Sequence, residues 1–209
     1  MMKSFDVELR LASERLEFFL RKNRRMLGES GLESQRTIAR YTAAIAGNFF
    51  AWLAIAGHFV RHERSRFVLL DNLRCEMRSN HRGMLLRFAE KCGALPGKDE
   101  YEHVAYHVGS VYNLLAEPSL AGLRGLALIA TLEHLSLVFM RELTRMAEES
   151  GCTDFTYTQA HGAADVAHSI ALIEAVRAEM GEGYQSAETV VAEASRLAED
   201  LINQIFSQD

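Results

Sequence analysis

Apolar residues recur at spacings of three and four along almost the whole chain, while the alternation of a strand is scarce. The only two prolines, Pro96 and Pro118, fall where that pattern pauses. A period near 3.6 sustained in this way builds helices, so the chain reads as all-α. Helices are expected at roughly 4–26, 34–62, 65–92, 100–116, 119–149, 156–181 and 186–206. Between them lie ordinary stop signals, among them "GESGLES", "GALPGKDE" and "GEGYQSAE". Short connections between long helices favour antiparallel neighbours. The 209 residues suffice for one good-sized core. Residues 1–209 are therefore expected to form a single up-and-down bundle of about seven helices. The last helix, "SAETVVAEASRLAEDLINQIF", carries the packing stripe Val190, Val191, Ala194, Leu197, Leu201 and Ile205.

The formal net charge of -5 and the absence of a Lys/Arg block argue against nucleic acid as a partner. Cys75, Cys92 and Cys152 are odd in number and far apart, with no C-x-x-C pair, which signals neither a disulfide framework nor a thiolate zinc site. The opening "MMKSFDVELR" lacks the apolar core of a secretory signal. A cytoplasmic protein is expected. From Tyr41 to Val60 the chain is uncharged for 20 residues, long enough to cross a bilayer. Asn48, His58, two glycines and many alanines make the stretch only mildly apolar, and a helix buried on all sides of a bundle looks the same. No membrane partner is expected.

Within "FTYTQAHGAADVAHSIALIEAV", His161, Asp165 and His168 stand four and three residues apart, inside about 60° of one helix face. That face continues as Leu172, Ala175 and Val176, which places the polar patch on the buried stripe. Glu174 and Arg177 mark the wet side of the later turns, and Glu179 is expected to reach water from near the helix end. Val166 and Ile170 lie opposite the patch, so the first half of this helix is expected to be buried all round. Two imidazoles and a carboxylate tolerate burial if they share a cation, whose coordination bonds replace the lost hydration. The alternative is a pair of neutral, hydrogen-bonded histidines.

In "GLALIATLEHLSLVFM", Glu133 is the only formally charged group, and a lone buried carboxylate is costly unless it is protonated or meets a cation. In "LLDNLRCEMRSNHRGMLLRF", Glu76 and His81 sit beside apolar stripes. A five-residue step rotates about 140° on a regular helix, so these two can meet only if "RSN" distorts or breaks it. Asp71, within about 80° of His81 on an undistorted helix, is the competing carboxylate. Three histidines and three carboxylates exceed what one zinc takes and suit two iron or manganese ions. Such a pair suggests chemistry with O2.

"NLRCE" followed by His81, "ATLE" ending at Glu133, and "FTYTQAHGAADVAHS" resemble, in order and separation, the ligand motifs of the heme-oxygenase-like diiron oxidases, also called iron-containing redox enzymes. The resemblance covers residues 66–173, and the H-x-x-x-D-x-x-H preceded by an aromatic is its most specific part. It implies a heme-oxygenase-like bundle without heme, two Fe(II) ions (or manganese) held by Glu76, His81, Glu133, His161, Asp165 and His168, and O2 as co-substrate. Members of that family cleave carbon-carbon bonds in fatty acids or amino acids, oxidise nitrogen, or build small metabolites. The expected function is oxidation or fragmentation of a small organic acid or amino-acid-derived metabolite. An external electron donor and a homodimer stay open. The gap between Glu76 and His81 is shorter than the family's usual one.

Two rivals stand beside it. One is a cofactor-independent enzyme of the thiaminase-like or quinone-cofactor-synthesis-like type on the same fold, with the His and carboxylate groups as acid and base. The other is a non-catalytic helical binding protein whose buried polar groups fix packing. The pairs His58/His62 and His103/His107 have helical metal-binding spacing, but hydrogen-bonded or surface histidine is the simpler reading. Phe49, Phe50, Trp52, Phe59, Tyr106 and Tyr112 are expected in the core, and Arg36 and Arg40 in surface ion pairs.

Overall fold

A computed structural model describes residues 3–27 and 31–207, with side chains of residues 5–24, 31–161 and 166–207. Among these residues there is no strand, and nine helices follow in order: α1 Lys3–Leu27, α2 Gly31–Ile45, α3 Asn48–Phe59, α4 Glu63–Arg78, α5 His81–Lys91, α6 Lys98–Leu115, α7 Pro118–Glu149, α8 Thr156–Met180 and α9 Ala187–Phe206. The all-α expectation holds. Two of the long helices read from the periodicity are each broken in two, which raises the number from about seven.

The first break falls at Ala46 and Gly47, where the Asn48 side chain donates back to the Ala44 carbonyl at 2.9 Å. Residues that hydrogen-bond locally compete with the helix, and here the competitor wins. At the second, Asn80 adopts a left-handed conformation (φ 50°) and caps α5 by accepting from Gly83 N. Asparagine is among the few residues that visit this region at small cost. Elsewhere the stops are conventional, with Pro118 in the first turn of α7 and left-handed Gly93 (φ 65°) and Gly151 (φ 76°) after α5 and α7.

α7 is the axis of the bundle and packs against α8, α9, α3, α1, α2 and α6. Its run from Gly125 to Leu132 is buried on every side, which accounts for an apolar stretch long enough to cross a membrane. α2 and α3 together form a second such stretch, about half buried. Gly122 and Gly125 allow α3 to approach: a Cβ at Gly122 would stand 2.5 Å from the Phe59 carbonyl oxygen, and one at Gly125 2.6 Å from Ala56 Cβ. The stripe expected on α9 does face the core, with Leu197 only partly covered.

Several expectations about individual side chains need correction. Glu179 is fully buried rather than wet, and its carboxylate accepts from the backbone of Arg61 (2.7 Å) and His62 (3.0 Å) and from the Tyr184 hydroxyl (2.6 Å). A helical projection treats the end of α8 as open, whereas the turn between α3 and α4 covers it. Val166 and Ile170 are exposed, because the neighbours of α8 leave this side uncovered. Arg36 pairs with Glu33 at the surface as expected (3.4 Å), whereas Arg40 is buried: it lies 3.5 Å from the same carboxylate and donates to the Ser207 carbonyl at 2.6 Å, so it ties α2 to the end of α9. Tyr106 is exposed, and Tyr112 is partly so, while Trp52 is enclosed.

Candidate metal centre

The break at Asn80 has a chemical consequence. It ends α4 just after Glu76 and restarts the chain with His81 at the head of α5, so the two side chains meet, with Nδ1 of His81 2.7 Å from Oε1 of Glu76. The conflict with regular helical rotation is thus resolved by a break and a left-handed residue. Asp71, the competing carboxylate, is on the surface.

α8 brings the third member. His161 packs its ring 4.6 Å from that of His81, and ligand atoms of Glu76, His81 and His161 all lie within 4.8 Å of one another. All three residues are buried. From α7, Glu133 is equally buried and lines the same cavity as this cluster. The Asn72 amide, one turn before Glu76 on α4, donates to Oε1 of Glu133 at 3.3 Å. His168 is partly buried, and its Nδ1 lies 3.9 Å from Oε1 of Glu133. That nitrogen is enclosed and makes no hydrogen bond among the described residues. Asp165 belongs to the α8 helix, but its side chain lies outside the described residues.

Five of the six sequence-read residues therefore fall on two adjoining groups, Glu76/His81/His161 and Glu133/His168. Carboxylates and imidazoles at these depths are costly to hold as separate groups. Oxygen and nitrogen donors of this kind suit iron or manganese, and the enclosed Nδ1 of His168, with no hydrogen bond among the described residues and 3.9 Å from Glu133, is available to bind one. The described residues fit a metal site.

Periodicity did not single out the surroundings. Tyr157, one turn before His161, sets its ring 4.6 Å from the imidazole, and its hydroxyl lies 2.8 Å from that of Tyr41. Asn72 and Tyr157 each stand four residues before a candidate ligand, the spacing that could have drawn attention to them. Beside the cluster opens a cavity of about 50 Å³ walled mainly by Ile45, Phe49, Leu85, Leu132, Phe139 and Met140. A single water needs about 10–15 Å³ by this measure, so the space admits a small guest.

The remaining histidines are engaged elsewhere. His62 caps α4 by accepting from Arg64 N, and His58 is exposed. Nε2 of His103 lies 2.9 Å from the Gln204 carbonyl oxygen. His134, next to Glu133 in the chain, contacts Ser169 Oγ at 3.3 Å, and burial pushes its pKa down.

The protein family described as iron-containing redox enzyme matches residues 36–200. No curated protein matches the chain.

Proposed function

The chain belongs to the iron-containing redox enzyme family, with its all-α heme-oxygenase-like fold, and from that premise we propose that it is a non-heme diiron oxidase or oxygenase acting on a small organic acid or amino-acid-derived metabolite. The observation that carries this reading is the convergence of Glu76, His81 and His161 from three helices on one buried point. Glu133 and His168, with Asp165 as the third donor, would hold the second ion. Iron bound there would supply the electrons that O2 accepts.

The chain's own groups prepare the site. The carboxylates of Glu76 and Glu133 would balance the charge of divalent ions that the apolar walls alone would exclude. The Asn72 amide holds one oxygen of Glu133 and so restricts how that carboxylate turns. The Tyr157 ring braces His161, and the rings of Phe88 and Phe139 pack on Tyr157 and Tyr41 in turn. Near the cluster the buried Tyr41 and Tyr157 hydroxyls are hydrogen-bonded at 2.8 Å, one donating to the other. Apolar side chains around the cavity keep bulk water from the substrate.

The direct test is an anaerobic titration with ferrous iron followed by exposure to O2. The native protein should take up two iron ions and consume O2, and the double variant His161→Gln/His168→Gln should lose both while keeping its helical circular dichroism. The short Glu76–His81 contact also suits a metal-free acid–base pair. Turnover that persists in the chelated protein would favour that rival and defeat the diiron reading.

A further inference from the structure

Exposed apolar side chains are scattered over the bundle, as on most proteins, but three of the large ones share one face of α4. Phe67 is 63% exposed, Met77 64% and Leu70 37%, and at 100° per residue the three fall within about 80° of arc. α8 widens the patch. Its exposed Val166 and Ile170 stand on one face, and Arg64 at the start of α4 pairs with Glu174, one turn after Ile170, which sets this side of α8 beside α4. Adjoining helices with uncovered apolar faces mark an association surface more than stray exposure does.

The charges on the same outward face of α4 decide what covers it. Glu63 and Asp71 stand in the first half of the helix, Arg74 and Arg78 in the second, and none of the four makes an ion pair or hydrogen bond among the described residues. The helix dipole accounts for Glu63 and Arg78 in the end turns, but it fades within a turn and leaves Asp71 and Arg74 unexplained. Glu63 and Asp71 would repel an anionic membrane or an acidic protein, and the two arginines a basic one. A second copy of the chain turned antiparallel is complementary throughout. A two-fold axis near the level of Asn72 sets Phe67 opposite Met77 of the partner subunit, Asp71 opposite Arg74 of the partner subunit, and Glu63 within a turn of Arg78 of the partner subunit. We propose that the chain forms a two-fold homodimer through the outward face of α4, with Val166 and Ile170 of α8 at its edge. Two such helices side by side present a patch about 24 Å long and about 20 Å wide, less than the roughly 800 Å² per partner of a standard interface, so the dimer is reversible and concentration-dependent. Asn72 and Glu76 lie on the inner side of the same helix, so the partner braces from outside the element that supplies part of the metal site. The dimer stands whether or not the diiron reading does.

The test is analytical ultracentrifugation of the full chain in chelator, from about 1 μM to about 1 mM, with circular dichroism of every variant as the control for folding. Wild type should pass from monomer to dimer across the series. Asp71→Arg brings four arginines together at the centre of the interface and Arg74→Asp four carboxylates, so each alone should weaken the dimer about tenfold or more. The double variant Asp71→Arg/Arg74→Asp should dimerise again, because the exchange leaves opposite charges facing. For the same reason an equimolar mixture of the two single variants should associate where neither does alone. Phe67→Ser should weaken the dimer by about tenfold with no rescue from either charge variant. The proposal is overturned if wild type stays monomeric throughout, if the single charge variants dimerise like wild type, or if neither the exchange nor the mixture restores association. Wild-type protein that stays monomeric but sediments with phosphatidylglycerol vesicles would overturn it in favour of a membrane.

Discussion

Asn80 separates two effects that a single substitution usually mixes. It holds φ at 50° and its side chain accepts from Gly83 N at 3.3 Å, and together these turn the chain so that His81 meets Glu76. Asn80→Gly removes the cap but keeps the left-handed backbone free of strain, a loss of only a few tenths of a kcal/mol. Asn80→Ala removes the same cap and leaves a Cβ in the left-handed region without the local polar side chain that lets asparagine adopt it, about 1 kcal/mol for each. The alanine variant should therefore be destabilised by about 2 kcal/mol, which for a chain of this size lowers Tm by about 4–8 °C. If it escapes the strain by running α4 into α5, His81 swings about 140° away from Glu76. Thermal unfolding in chelator reads the first effect and ferrous-iron titration the second. Alanine should show a clear fall in Tm and weaker iron uptake, whereas glycine should show little of either. Equal melting of the two variants, or an alanine variant that melts like wild type, would refute the reasoning.

Gly122→Ala should push α3 from α7, because the new Cβ would sit 2.5 Å from the Phe59 carbonyl oxygen and 2.6 Å from Val60 N, and backbone cannot yield as a flexible side chain does. A loss of about 1–3 kcal/mol in urea unfolding is expected. Burial lowers the pKa of His107, against an upward pull from Asp200 and with a smaller downward push from His103. The folded protein thus keeps this imidazole neutral while the unfolded chain protonates it below its ordinary value of 6.5. Its contribution is present above pH 6.5 and is lost as pH falls towards the lower folded pKa, so His107→Gln should flatten the fall in Tm below that pH. The Cys92 thiol is pushed well up by burial and by a hydrogen bond with the Cys152 thiol. Neither should be alkylated by iodoacetamide in the folded protein, and peptide mass spectrometry should find both modified only after unfolding.

What could be read from the residues was what one helix decides by itself. His161 and His168 stand on the covered side of α8 because of spacing within one helix, and Glu133 is buried because its helical neighbours are apolar. What could not be read depends on which element arrives from elsewhere. Glu179 looked wet on its own helix, but Arg61 and His62 bring two backbone donors from a distant turn. Val166 and Ile170 looked enclosed because a projection assumes neighbours all round, and α8 lacks one on that side. Asn72 and the Tyr41–Tyr157 pair matter through partners on α7 and between α2 and α8, so no window along the chain contains both halves of either contact.

The Glu76–His81 step lies between these cases, because its misfit with helical rotation was visible along the chain while its resolution was not. Two polar residues that a regular helix would hold apart, each beside an apolar stripe, imply either that one is irrelevant or that the helix stops between them. Asn80 could have decided the matter, since among the residues of "RSN" it is the one that accepts a left-handed backbone and also caps a following helix. A strained or punctuated position between two candidate ligands is then itself a pointer to the site, because local rules are most often broken where function needs it.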